Sequence, residues 1–181
     1  FVMADVNTVI PLDTGSDKAI DFLLKRYEKA KSSRENWVSL FEECYEYALP
    51  QRESFYAETP GQRRDDKIFD ETAVVGVQEF ASRLQSGLVP NFARWADFIA
   101  GSEIPQDQRE NINAELQEVT DYVFEVLQNS NFAQEVHESF LDLAVDTGVL
   151  LCEEGDAVNP IRFSAIPLPH VILDVGPDDR V

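Results

Sequence analysis

The feature that most constrains the fold of this chain is a long helical repeat that ends at a proline. Nine residues recur at steps of three and four and therefore fall on one helix face: Ile20, Leu23, Tyr27, Ala30, Arg34, Trp37, Phe41, Cys44 and Ala48. Leu49-Pro50 ends the repeat, because proline lacks the amide hydrogen that a helix interior needs. An unbroken helix over this repeat would be about 48 Å long at about 1.5 Å per residue. Such a rod is too long for the core of a small domain and favours a projecting element or an assembly contact.

Two serines near the middle of the repeat leave its continuity open. Ser32 and Ser33 are weak helix formers, and Ser33 is also a suitable N-cap for a second helix. The pattern is therefore compatible with one helix that starts at Ser16 or Asp17. It is equally compatible with two helices joined by a kink.

A further helix is predicted in the stretch before Trp95. Asp70 stands at the expected N-cap, and Pro90 ends the helix. Its inward face is expected to consist of Ala73, Val77, Phe80, Ala81, Leu84 and Leu88. The extended segment after Pro90 ends at Trp95, which we expect to lie in a pocket as a core anchor. Trp37 is also expected to be a core anchor. If Trp95 is fully buried, its replacement by alanine should cost about 3–5 kcal/mol.

Two more helices are predicted, from Asp107 to Gln128 and from Asn131 to Thr147, with Gly148 as the stop. The outer face of the first is densely acidic, and we expect it to be solvated. Its inward face is expected to hold Ile112, Leu116, Val119, Val123, Val126 and Leu127.

From residue 149 the spacing of apolar residues changes from that of helices to that of strands. Three strands are predicted as an antiparallel β-meander: Val149–Cys152, Ile161–Ile166 and Val171–Val175. The predicted fold class is α+β and mainly α-helical, with long helices that form a wing-like part and a small antiparallel β-meander in the last third.

The net charge of −19 is concentrated in the second part of the chain, where residues 101–181 hold 17 acids and 3 bases. A surface this acidic repels phosphate and disfavours high-affinity nucleic-acid binding. It fits simple solubility, and it also fits a surface along which DNA moves without adhering. Cys44 and Cys152 fall on different predicted elements, which favours buried free thiols and leaves a disulfide open.

Residue patterns that carry chemistry are absent from the sequence. It has no glycine-rich phosphate loop, no metal-type Cys/His spacing and no nucleophile elbow. His137 and His170 are isolated and are interpreted as structural. Surface and turn positions account for the remaining charge clusters, Arg63-Arg64 and Glu153-Glu154-Asp156. We therefore predict no catalytic residue, no metal, no cofactor and no enzymatic activity.

An ordered series of short motifs resembles the head-to-tail connecting (portal) proteins of short-tailed bacteriophages. It begins with a helix that ends in a Tyr-x-Leu-Pro segment, continues with a helix start of the Asp-x-Thr-Ala type and ends at a Pro…Arg-Trp segment. The residues that carry it are Trp37, Tyr47, Leu49, Pro50, Asp70, Thr72, Ala73, Leu84, Pro90, Arg94 and Trp95. The resemblance extends over roughly residues 17 to 175.

The resemblance implies a non-enzymatic subunit of a ring, usually of twelve copies, at one capsid vertex of the virion. Such a ring passes double-stranded DNA non-specifically during packaging and ejection, and it docks capsid, terminase and tail adaptor proteins. It assembles in the cytoplasm of the host bacterium and has no membrane partner. Family members are several times longer, so we expect this chain to continue beyond residue 181.

The expected division of the chain is an N-terminal arm (1–15), a helical wing region (16–148) and a β-region (149–181). An alternative function is an acidic α+β adaptor module that engages a basic protein partner. A divalent-metal hydrolase that uses the C-terminal acids is a remote third possibility.

Overall fold

The computed structural model describes residues 17–52, 55 and 68–174, in which four α-helices precede a β-hairpin. In chain order the elements are α1 Asp17–Ala48, α2 Thr72–Leu88, α3 Gln106–Asn129, α4 Phe132–Leu143, β1 Val149–Glu154, β2 Ile161–Ile166 and a 3-10 turn, Leu168–His170. This architecture confirms the mainly helical α+β class. Two predicted features lie outside the described residues: the arm 1–15 and the Arg63-Arg64 pair.

α1 is a single helix that passes through Ser32 and Ser33 without a break. Arg34, the next residue, reaches the 3-10 turn, where its Nη2 donates to the carbonyl oxygens of Leu168 at 2.8 Å and Pro169 at 3.0 Å. These bonds hold the middle of α1 against the rest of the fold, and tertiary contacts readily outweigh a weak local propensity. Of the two arrangements that the sequence left open, the single helix is the observed one.

The core lies beneath the C-terminal half of α1. Phe41, Tyr45 and Leu49 follow one another at four-residue steps, and all three are buried. They pack with the fully buried Ala81 of α2 and with residues of α4 and the C-terminal segment: Leu141, Leu168 and Val171. Because position 81 carries only a methyl group, α2 can approach both α1 and α4 closely.

The N-terminal half of α1 extends past this core. Four apolar residues here lie on the same helix face as Phe41 and Tyr45, and each is about half exposed: Ile20, Leu23, Leu24 and Tyr27. Trp37 is 57% exposed, so the prediction of a core anchor there is wrong. Trp37 lies beside the core, but it lines an open groove with Arg34, Leu168 and Leu173, which cover only part of its ring.

The start of α2 depends on Asp70, although Glu71 occupies the N-cap position itself. Asp70 Oδ1 accepts hydrogen bonds from the backbone N–H of Thr72 at 2.8 Å and from its hydroxyl at 2.6 Å. The predicted inward face is only partly covered, because α2 meets α1 and α4 along a narrow line. Ala81 is buried and Val77 and Leu84 are half-buried, but three residues of the predicted face are exposed: Ala73, Phe80 and Leu88.

The predicted inward face of α3 is half-buried except at Val119, and the most buried residues lie beside it. Thr120 and Phe124 are buried, whereas Val119, which was predicted to point inward, is about half exposed. The Thr120 hydroxyl donates to the carbonyl oxygen of Leu116 at 2.7 Å and accepts the N–H of Phe98 at 3.2 Å. A polar side chain is buried here because it anchors the extended segment that precedes α3.

α4 ends at Leu143, earlier than the predicted end at Thr147. Gly148 is therefore not the residue that stops the helix. A Cβ at Gly148 would lie 2.4 Å from the carbonyl oxygen of Ser139, so glycine permits the close approach of this segment to α4.

The predicted third strand is wrong for the described residues, because Val171–Asp174 forms no strand and the sheet has two strands. Side chains of α4 and of the residue before it occupy the second edge of β2 instead. Asn131 Nδ2 donates to the carbonyl oxygen of Phe163 at 2.7 Å, and the N–H of Phe163 donates to Asn131 Oδ1 at 2.9 Å. Glu135 accepts the N–H of Ala165 at 2.8 Å. These bonds satisfy backbone groups that a neighbouring strand would otherwise pair with.

β1 continues two residues past its predicted end at Cys152, through Glu153 and Glu154. The Asp156 carboxylate then accepts two backbone N–H groups of the following turn at 2.7 and 2.8 Å, a turn role that agrees with the interpretation of this acid group. Both cysteines are free thiols. Cys44 is half-buried but Cys152 is exposed, so the expectation of burial is wrong for Cys152.

We expect Phe41→Ala to lower the free energy of unfolding by about 3–5 kcal/mol, because it removes a buried ring from the core. Trp37→Ala, four residues earlier on the same helix, is the matched control and should cost less than about 1 kcal/mol. Urea unfolding followed by circular dichroism measures both. Equal losses would contradict the described position of the core.

Candidate functional site

The residues of the predicted motif series fall into two groups, of which the first surrounds a buried polar network at the end of α1. Tyr45 donates its hydroxyl hydrogen to Asp142 Oδ1, and both side chains are fully buried. Arg52 Nη2 donates to Asp142 Oδ2 at 2.8 Å, and its Nη1 donates to Glu138 Oε2 at 2.6 Å. Arg52 also bonds the backbone carbonyl oxygen of Glu138. The network therefore ties the chain that leaves α1 to α4.

Burial dominates the electrostatics of this network. It raises the pKa of Asp142 above its ordinary 3.8, against the hydrogen bond from Tyr45 and the positive charge of Arg52, which both lower it. Burial also raises the pKa of Tyr45 well above its ordinary 10.0, and the hydrogen bond to Asp142 raises it further. A buried carboxylate is tolerable only with such partners, so the network is a structural joint.

The sequence did not predict the network, because α4 is buried on more than one face. Its buried residues are Val136, Ser139, Leu141 and Asp142, which a single amphipathic stripe cannot contain. The sequence signal that remained was an arginine two residues beyond the proline that follows α1. Taken alone, that spacing predicts a surface position.

The two histidines lie apart and make different contacts. His137 Nδ1 lies 3.0 Å from Gln85 Oε1, and Gln85 Nε2 donates to the carbonyl oxygen of Ala133 at 2.7 Å, which links α2 to α4. His170 is exposed at the end of the 3-10 turn. Within the described ranges, no three His, Cys, Asp or Glu side chains converge in a way that would hold a metal ion. In the same part of the chain, no helix is long and apolar enough to cross a bilayer.

The second group of motif residues lies around the segment between α2 and α3. Arg94 forms ion pairs with Asp97 and, at 2.7 Å, with Asp121 of α3. Trp95 contacts two rings, with centroid distances of 5.3 Å to Phe124 and 6.3 Å to Phe132. The segment is therefore attached to α3 and α4 by charge and by aromatic contacts.

Trp95 lines an open groove instead of filling a closed pocket. The ring is 41% exposed, so the expectation of full burial is wrong. The groove has a volume of about 420 Å³ and is bounded by residues of three segments: Val89, Pro90, Phe92, Trp95, Phe124 and Phe132. Phe92 is 98% exposed at its rim. The groove stays open because the segment crosses α3 and α4 at their surface.

The structure does not gather the whole series into one site. Leu49 is buried and Pro50 half-buried beside the network, while Tyr47 is exposed near the end of α1. At α2, Asp70, Thr72 and Ala73 are exposed and Leu84 is half-buried. Trp37 is more than half exposed and lines an open groove between α1 and the C-terminal segment. The residues therefore mark helix ends and crossings, where local backbone geometry constrains the residue type.

Comparison with known proteins identifies the group to which this architecture belongs. A family model described as bacteriophage head to tail connecting protein matches residues 21–181. The chain belongs to this family. The match confirms the resemblance given by the motif series.

This connector-family chain is also 26% identical over 124 residues to a probable portal protein of Bordetella phage BPP-1. The aligned part covers 67% of the chain and 22% of that protein. The chain thus matches about a fifth of the length of that relative.

For the connector's buried joint, we expect Tyr45→Phe to lower the free energy of unfolding by about 1–3 kcal/mol. The ring stays in place, but the buried Asp142 carboxylate loses its hydroxyl donor. Tyr47→Phe changes an exposed tyrosine two residues away and should stay within about 0.5 kcal/mol of wild type. Chemical denaturation at neutral pH measures the difference, and equal stability of the two variants would contradict the described hydrogen bond.

Because Trp95 is only partly buried, Trp95→Ala should cost about 1–3 kcal/mol, less than the loss of a fully buried ring. Phe92→Ala is the control from the same segment and should be nearly neutral, since its ring is almost fully exposed. Thermal unfolding measures both. A Trp95→Ala loss above about 4 kcal/mol would mean that the groove is closed in solution.

Proposed function

We propose that this chain forms part of a phage portal subunit. The complete protein would assemble as a ring at one capsid vertex of the virion, with twelve copies as the family resemblance implies. The ring would be the passage for double-stranded DNA during packaging and ejection, and the docking site for terminase and tail adaptor proteins. The family match over residues 21–181 is the observation that carries this proposal.

Physical features of the described residues support a structural role. α1 is anchored at one end by the core and the Tyr45–Asp142–Arg52 network, while its other end carries half-exposed apolar residues suited to contacts between subunits. The net charge of −19 disfavours tight adhesion to DNA, as a passage requires. In this proposal residues 16–148 are the wing, residues 149–181 begin a β-region, and the motif residues have architectural roles without catalysis.

Imaging of the full-length protein tests the proposal. We expect negative-stain images and light scattering to give large closed rings with a central channel, with a mass near twelve subunits. The rings should need no added cofactor or metal ion. Assembly of the portal would take place in the host cytoplasm before DNA is packaged.

Two outcomes would contradict this function. Monomers alone at high protein concentration would argue against a ring. A discrete, salt-sensitive complex with a basic protein, without any ring, would instead favour the acidic adaptor module.

A further inference from the structure

The segment that joins α2 to α3 leaves much of its apolar surface uncovered. Phe92 is 98% exposed and Ile99 76%, while Trp95 and Phe98 are roughly half exposed. Contiguous exposed apolar surface marks places where a protein binds another molecule. The segment borders an open groove of about 420 Å³, here called the Trp95 groove, whose aromatic rings are Phe92, Trp95, Phe124 and Phe132.

The Trp95 groove is preformed, because hydrogen bonds fix the segment on α3. The Thr120 hydroxyl accepts the N–H of Phe98 at 3.2 Å, and Asn113 Oδ1 accepts the N–H of Ala100 at 2.8 Å. A preformed site does not have to be ordered when it binds. The burial of its exposed rings therefore contributes fully to affinity.

Side-chain amides line the same groove beside the rings. Asn91, Gln128 and Asn129 are all exposed and border it. Each amide offers N–H donors and a carbonyl acceptor, the groups that hydrogen-bond a peptide backbone. Rings that receive side chains, together with amides that bond the backbone, suit a peptide segment as the occupant.

The rim of the Trp95 groove is acidic. Asp97 and Asp121 both pair with Arg94, which leaves this group one negative charge in excess. Glu125 lies one helical turn after Asp121 and next to Phe124 of the groove. It is exposed and forms no ion pair with any described residue. We call Asp97, Asp121 and Glu125 the acidic rim, and a rim of this sign favours a basic partner.

A second copy of the chain does not supply that charge. α1 carries seven acids and six bases, α2 one of each, α3 six acids and one base, and α4 three acids without a base. The hairpin, residues 149–166, carries three acids and one base. Among the described helices and strands, none is a basic element that could complement the rim. Charge complementarity therefore selects a different protein.

We propose that the Trp95 groove is the docking site for a basic segment of a second protein. Large apolar side chains of that segment fill the groove against Phe92 and Trp95, and its lysines or arginines pair with the acidic rim. This inference deepens the proposed function and rests on it, because it names one surface on which the portal ring docks another protein.

Selection from a random library of displayed peptides tests the site and the chemistry of its occupant. The library holds peptides of about 12 residues and is selected on the assembled full-length protein. We expect the enriched peptides to carry a net positive charge and a large apolar side chain. Their binding should weaken about tenfold between about 50 mM and about 500 mM NaCl, because salt screens the acidic rim.

Two substitutions at the groove and two matched controls locate the binding. Phe92→Ala should raise the Kd of the enriched peptides about tenfold, because it removes the exposed ring. Glu125→Lys should raise it about three- to tenfold and reduce the salt dependence. Phe69→Ala removes an equally exposed ring, and Glu154→Lys reverses an exposed acid on β1. Both controls should leave the Kd within about twofold of wild type, and all four exposed positions tolerate substitution without loss of the fold.

The outcomes separate this docking site from the function on which it rests. Enriched peptides that are acidic or uncharged, or that bind both groove variants as tightly as wild type, would overturn the docking site. A selection that enriches nothing would do the same. Peptides that bind only dissociated subunits would overturn it in favour of a second copy as the occupant.

Negative-stain images of the same wild-type preparation report on the function independently. Closed rings together with any of those three outcomes would leave the portal function standing. Binding of basic peptides by a protein that forms no ring would instead refute the portal function and favour the acidic adaptor module.

Discussion

The fold depends on one buried interaction, the hydrogen bond from Tyr45 to Asp142 that Arg52 reinforces. It joins the end of α1, the segment after the proline and α4, which are distant in sequence. A carboxylate in an apolar core loses its hydration and must recover that free energy from directed partners. This requirement restricts α1 and α4 to one relative placement, whereas apolar contacts alone would tolerate several.

Near this network, side chains form the hydrogen bonds that a neighbouring strand would form in a larger sheet. Asn131, which precedes α4, and Glu135 of α4 bond the second edge of β2. Arg34 bonds two carbonyl groups of the 3-10 turn. The hairpin is too small to be stable by itself. Its stability therefore comes from α4, and the β-region and the helical region form one cooperative unit in the described residues.

The sequence allowed the helices and two strands to be predicted, because periodicity and proline positions are local signals. It also supported the family, through residues such as Pro50 and Trp95 at helix ends and crossings. Burial was predicted less well. Trp37 and Phe80 follow helical spacing but their neighbours cover them only in part. Asp142 is buried because of partners 90 and 97 residues away. Burial by residues that are distant in the sequence cannot be predicted from a local residue pattern.

The attachment of α1 at several points has a mechanical consequence. The helix is held at Phe41 by the core, at Arg34 by the 3-10 turn and at Arg26 by Asp174. From Phe41 to Arg26 the helix extends roughly 22 Å at about 1.5 Å per residue, which is about four turns. Its direction is therefore fixed by the C-terminal segment as well as by the core, and a shift of that segment would tilt the whole exposed end of the helix.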